Sequence, residues 1–208
     1  MASLADSLWQ SNRTLAEAAL QHTFVQGIAS GELPRAKFSY YIGQDAVFLD
    51  TYCRAYALAL AKSPDQEGLI TFRELVNATA DELRQHQEYA ARWDVDLHQA
   101  AGPATLAYSN FLLAVAALEP VGHIVAAMTP CMRLYAHLGQ RLADQTKPES
   151  PYREWVITYS DAQFEAQAGR LEVLLDRYGG DHDRLASLYH QAMELELQFF
   201  DAAGRWEN

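Results

Sequence analysis

The chain has 208 residues, half of them apolar, and a formal net charge of −11. That is enough to bury one sizeable core, so a single domain over residues 1–208 is expected. The acidity argues against nucleic acid and anionic membrane as partners, because both demand a basic patch.

Two cysteines make no disulfide framework. The opening MASLADSLWQSNRTLAEAA has no basic region leading into an apolar run, and no stretch of about 18 apolar residues occurs. A cytoplasmic protein with reduced thiols and no membrane association is therefore expected.

Apolar residues recur at steps of three and four almost everywhere, and no segment alternates with period two. The pattern predicts an all-α protein of about seven helices. The first spans Ser3 to Ser30, broken near Thr23 and ended by Gly31. Pro34 opens a long second helix to Lys62, striped with Phe38, Tyr41, Ile42, Asp45, Phe48, Leu49, Tyr52 and Tyr56. A third carries Leu69, Phe72, Leu75, Val76, Leu83 and His86 and ends near Trp93. After the loop DVDLHQAAG, Pro103 opens a fourth with Leu106, Phe111 and Leu113. Pro120 opens a fifth, striped with Met128, Cys131, Leu134, Tyr135 and Leu138. The sixth runs from Tyr152 to Arg177, and the last carries Leu185, Tyr189, Met193, Glu196, Phe199 and Phe200. Short connections favour an antiparallel bundle.

The informative residues are polar groups on these apolar stripes. A buried carboxylate is costly unless paired or hydrogen-bonded. Asp45 shares a face with Tyr41, Phe48 and Tyr52, and is either a boundary residue reaching solvent or an inward carboxylate. Glu196 lies three and four residues before Phe199 and Phe200, so it points inward unless the helix is rotated enough to bring it to the rim. Cys131 follows Pro130, whose missing N–H leaves the Ala126 carbonyl without its helical bond. A cysteine there is either a small buried hydrophobe or a nucleophile. Cys53 reads as a core residue. Tyr108, Tyr135 and Tyr159 also fall on or near inward stripes, and their hydroxyls need partners or line a polar pocket.

Glu82 with His86, and Glu119 with His123, are spaced i, i+4. The Glu-x-x-His spacing of di-iron bundles is absent, so no metal site is expected. GxGxxG, Walker, CxxC and GxSxG motifs are also absent, and no cofactor is expected. A metal-dependent oxidase or oxygenase built on the two Glu–His pairs stands as one alternative. A non-catalytic regulatory or scaffold protein that keeps the pocket for binding only is the other.

The segments GELPRAKFSYYIGQDAVFLDTY, LAYSNFLLA, TPCMRLYAHLG, YREWVITYS and ELQFFDAA occur in this order. Together they resemble the TenA/Thi-4 family, the thiaminase II proteins, in the branch that keeps an active-site cysteine. The resemblance runs from about residue 20 to residue 203. It implies an all-helical fold similar to haem oxygenase, without haem. It also implies hydrolysis of 4-amino-5-aminomethyl-2-methylpyrimidine to the hydroxymethyl pyrimidine and ammonia in thiamin salvage, with thiamin cleavage as a second activity. By resemblance Cys131 is the nucleophile, Asp45 holds the pyrimidine nitrogens, and Glu196 is the general acid and base. Tyr108, Tyr135 and Tyr159 orient ring and thiol by the same likeness. Phe48 occupies a ring-stacking position where the family also uses tyrosine. The partners implied are an aminopyrimidine or thiamin and further copies of the same chain, as a homotetramer.

Overall fold

The computed structural model describes residues 2–207 except 94 and 98; the side chains of 85, 86, 88, 89, 91 and 92 are outside the description. Every regular element among the described residues is an α-helix, in the order α1 (Leu4–Ser11), α2 (Arg13–Leu20), α3 (Thr23–Ser30), α4 (Arg35–Lys62), α5 (Gln66–Trp93), α6 (Pro103–Leu118), α7 (Val121–Ala143), α8 (Arg153–Ser160), α9 (Ala162–Tyr178) and α10 (His182–Arg205). No described helix is long and apolar enough to cross a membrane.

The described residues form ten helices rather than about seven, because two of the expected helices are divided by polar side chains that take over backbone hydrogen bonds. Asn12 ends α1: its amide nitrogen donates to the Leu8 carbonyl (2.8 Å) and its backbone N–H to Trp9 (3.0 Å). The ring of His22 accepts the Phe24 N–H (3.1 Å) and starts α3 at the break expected near Thr23. Asp161 divides the expected sixth helix, its carboxylate accepting the Gln163 N–H (2.7 Å) as the N-cap of α9. The proline-marked starts hold: Pro34 caps α4, Pro103 is the first residue of α6 and Pro120 caps α7. Gly31 closes α3 with φ of +78°, the left-handed conformation that favours glycine.

Two long helices organise the packing. α4 lies against α5 and α6, and α7 against α8, α9 and α10; α10 also touches α4 and α6. Buried faces of α4, α7 and α10 therefore meet in the middle of the molecule, surrounded by aromatic side chains including Phe24, Phe38, Tyr41, Phe199 and Phe200. α7 continues through Pro130, and Thr129 returns its hydroxyl to the Val125 carbonyl (2.8 Å). The end of α8 lies directly on α7 at Gly139. A Cβ there would stand 2.3 Å from the Tyr159 carbonyl carbon and 2.5 Å from the Ser160 nitrogen. The absence of a side chain at 139 thus lets α8 bring Tyr159 inward.

Candidate active site

Helical spacing places the polar residues of six helices at one spot. On α4, Tyr41, Asp45, Phe48, Tyr52 and Tyr56 follow one another at steps of four, three, four and four. α7 contributes Cys131 and Tyr135, α8 Trp155 and Tyr159, and α10 Glu196 with Phe199 and Phe200. α5 adds Leu75, Thr79 and Glu82, and α6 adds Tyr108. Asp45 is 4% and Glu196 2% exposed, so both carboxylates are inward and neither is a boundary or rim residue.

The hydrogen bonds join these helices. Tyr108 Oη donates to Glu196 Oε1 (2.8 Å), and the Cys131 thiol lies close enough to the same carboxyl group to be coupled to it electrostatically. Trp155 Nε1 donates to Tyr41 Oη (3.2 Å), which in turn donates to Tyr135 Oη (3.1 Å). Tyr159 Oη donates to Glu82 Oε1 (3.2 Å), and Tyr52 Oη to the Met128 carbonyl (2.6 Å). Phe48 packs against Tyr108 with ring centres 4.6 Å apart, and Tyr135 against Tyr159 at 4.7 Å.

Burial dominates the electrostatics. It lifts the Glu196 carboxyl to about 7; the hydrogen bond from Tyr108 and the nearby Cys131 thiol oppose the rise and the Asp45 charge adds to it. Burial also pushes the Cys131 thiol well up, and the charges of Glu196 and Asp45 push it further. The resting thiol is therefore protonated at neutral pH, with a carboxyl group poised near neutrality beside it. The phenols of Tyr41, Tyr108, Tyr135 and Tyr159 are raised as well, chiefly by burial, and stay protonated.

Asp45, Phe48, Cys131, Tyr135 and Tyr159 line one internal cavity of about 30 Å³. Glu196 and Tyr108 do not line it and reach it through the thiol. Further wall residues were not expected there, among them the polar Tyr52, Tyr56, Thr79, Glu82 and Gln167, with Phe164. For Glu82 a signal existed, since Phe72, Leu75, Thr79 and Glu82 fall at steps of three, four and three on one face of α5. Glu82, Phe164 and Gln167 also line an open surface groove of about 360 Å³, so they form the partition between groove and cavity. The buried Tyr56 hydroxyl makes no hydrogen bond in the cavity wall.

The Glu–His pairs lead elsewhere. Glu119 is occupied on both oxygens, by His123 Nδ1 (2.9 Å) and Arg184 (2.6 Å). The side chain of His86 lies outside the described residues. Among the described residues no group of three or more His, Cys, Asp or Glu converges as a metal would require.

The comparisons with known proteins agree with the fold. The chain is 32% identical over 213 residues to an aminopyrimidine aminohydrolase of Halalkalibacterium halodurans, covering 97% of this chain and 95% of that protein. It is 33% identical over 207 residues to the mitochondrial bifunctional TH2 protein of Arabidopsis thaliana, covering 86% of this chain; the match spans only 34% of that longer protein. A TenA homologue from Pyrococcus furiosus superposes with a TM-score of 0.91 at 23% identity, covering 96% of this chain and 99% of the other. Haem oxygenase-1 from the cyanobacterium Synechocystis superposes at 0.59 with 16% identity, covering 96% and 91%, so the bundle is haem-oxygenase-like. Residues 9–205 match the TENA/THI-4/PQQC family, and the chain belongs to it.

Proposed function

We propose that this protein is a hydrolase of the thiamin salvage type that converts 4-amino-5-aminomethyl-2-methylpyrimidine and water to the 5-hydroxymethyl pyrimidine and ammonia, with Cys131 as nucleophile. The observation that carries the reading is the buried Glu196 carboxyl, held by Tyr108 and electrostatically coupled to the Cys131 thiol at a cavity that Asp45 also lines. The relative named an aminopyrimidine aminohydrolase, matched over nearly its whole length, supports the same substrate class.

An amine on a ring CH₂ is a poor leaving group, and covalent addition to the ring divides the difficulty. The Cys131 sulfur adds to an electron-poor ring carbon while its proton passes to Glu196. The ring electrons then form an exocyclic double bond, and the C–N electron pair leaves with nitrogen, which takes the proton from Glu196 and departs as ammonia. Water adds to the exocyclic carbon and gives its proton to Glu196. The S–C electron pair returns to sulfur, the ring is restored, and the thiol recovers its proton. One carboxyl group titrating near neutrality serves both transfers, at a typical worth of about 10²–10⁴-fold. Asp45 binds ring and amino nitrogens, and Phe48 with Tyr135 holds the ring faces. The cavity at rest has room for about one water molecule, so ring binding displaces part of the wall. Thiamin is the second substrate under the same chemistry, with the thiazole as leaving group.

The test is ammonia release from the aminomethyl pyrimidine, set against cleavage of thiamin. Cys131→Ser should lower turnover by at least about 10²-fold with the fold intact. Near wild-type turnover in that variant would remove the covalent mechanism.

A further inference from the structure

Most of the cavity wall is buried. Among the described residues lining it, only Glu82, Cys131, Phe164 and Gln167 are half-buried. Three of these four, Glu82, Phe164 and Gln167, are the partition toward the surface groove. On that side a single layer of side chains separates the cavity from solvent. The three are held differently. Glu82 accepts the Tyr159 hydroxyl. Phe164 meets Tyr159 edge to face, with ring centres 5.0 Å apart. The Gln167 amide makes no hydrogen bond among the described residues. Phe164 and Gln167 are three residues apart on α9 and share a face. Turning them outward breaks none of the hydrogen bonds described above. Displacing Tyr159, Tyr52 or Tyr135 would break the bonds to Glu82, Met128 or Tyr41. The backbone of α9 is meanwhile anchored. Arg133 of α7 donates to both oxygens of Glu165 (2.8 and 2.9 Å) and to both of Glu172 (2.6 and 2.7 Å), and Gln140 donates to Glu165 as well (2.7 Å). Glu165 lies between the two partition residues in sequence, so the partition opens by side-chain rotation and not by movement of the helix.

We propose that Phe164 and Gln167 are the gate of the cavity. The ring enters from the groove between α5 and the corner of α8 and α9, and these two side chains turn outward to admit it. The gate suits a flat aminoheteroaromatic ring. Phe164 offers an apolar edge. The Gln167 amide carries donors and an acceptor together, the complement of a ring nitrogen beside an amino group. The same rotation enlarges a cavity that at rest has room for about one water molecule. Neither residue is assigned a chemical step; together they set what enters and how fast. The inference rests on the reading of this cavity as the aminopyrimidine site and adds the route into it.

The test reads access to the thiol rather than turnover. Iodoacetamide and a bulky fluorescent maleimide are each reacted with the whole protein at mildly alkaline pH, and modification of Cys131 and Cys53 is followed separately by peptide mass spectrometry. Cys53 is a free, half-buried thiol that does not line the cavity, so it is the internal reference. Phe164→Ala should speed maleimide labelling of Cys131 at least about tenfold relative to Cys53, and by more than it speeds iodoacetamide; a change in thiol ionisation alone would move both reagents together. Ile157 is exposed in the groove and does not line the cavity. Ile157→Trp, added to Phe164→Ala, should take back most of the maleimide gain, and Val173→Trp, exposed outside the groove, should not. If Phe164→Ala also speeds Cys53, the fold has loosened, and the half-buried Gln167→Ala carries the same comparison. An unchanged ratio of the two reagents at Cys131 in a folded gate variant overturns the gate. A gain that Ile157→Trp leaves intact overturns the groove as the route. Labelling needs no substrate, so a protein that shows the gain and releases no ammonia from the aminomethyl pyrimidine keeps the gate and loses the hydrolase reading.

Discussion

Burial holds the Glu196 carboxyl at about 7, above the ordinary glutamate value of about 4.3. The folded protein therefore binds this proton more tightly than the unfolded chain does. Between the two values the folded state carries more protons, so stability is fully present below the unfolded value and is lost as pH rises through the folded one. The loss approaches about 4 kcal/mol at most. Glu196→Gln removes the charge and keeps an oxygen for the Tyr108 hydroxyl. It should stabilise the protein by about 1–3 kcal/mol at a pH of about 8, read by urea denaturation, and lower ammonia release by about 10²–10⁴-fold. In the wild type, kcat/KM should rise with pH through about 7, as Glu196 becomes able to take the thiol proton. Spacing from Tyr41, Phe48, Phe199 and Phe200 singled out Asp45 and Glu196 but left each open between core and boundary; it is their burial that makes both inward. The coupling of Cys131 to Glu196 was not legible, since it depends on how α7 and α10 meet. Glu82 shows how one pattern masks another: its i, i+4 spacing to His86 suggests a metal pair, while its register with Phe72, Leu75 and Thr79 turns it to the cavity.

Apolar periodicity reported that helices exist and where proline starts them, as at α4, α6 and α7. It was blind to breaks made by a side chain without a loop. Asn12 and Asp161 end and begin helices in the midst of continuous apolar stripes, by bonds to backbone groups two to four residues away. Such a break has functional weight at α8 and α9, because α8 carries Tyr159 in its last turn and α9 carries Phe164 and Gln167 in its first two turns, all in the cavity wall. Gly139 sets the depth of that corner. A methyl group there would meet backbone atoms of Tyr159 and Ser160, which cannot rotate away as a side-chain end does. Gly139→Ala should destabilise the protein by about 1–3 kcal/mol in urea denaturation. It should also raise KM for the pyrimidine more than a surface Gly→Ala such as Gly169→Ala, where a Cβ meets nothing within 4 Å.

At the scale of the molecule, the family and the haem-oxygenase-like bundle were legible because motif segments are distributed over nearly the whole chain. The net charge of −11 and the acidic groove at Asp81, Glu82 and Asp161 form a field that attracts cations. The association of a protonated aminomethyl substrate should therefore weaken with salt: kcat/KM should fall several-fold as sodium chloride rises to about 0.5 M, while an uncharged pyrimidine shows little change. The small size of the cavity has a consequence of a different kind. The thiol keeps its proton and faces a space with room for about one water molecule. Peroxide and alkylating agents react with thiolates far faster than with thiols, so the protonated resting state keeps the half-buried Cys131 unreactive. Reactivity arrives together with the ring that opens the wall, and chemical durability between turnovers is built into the same packing that performs the reaction.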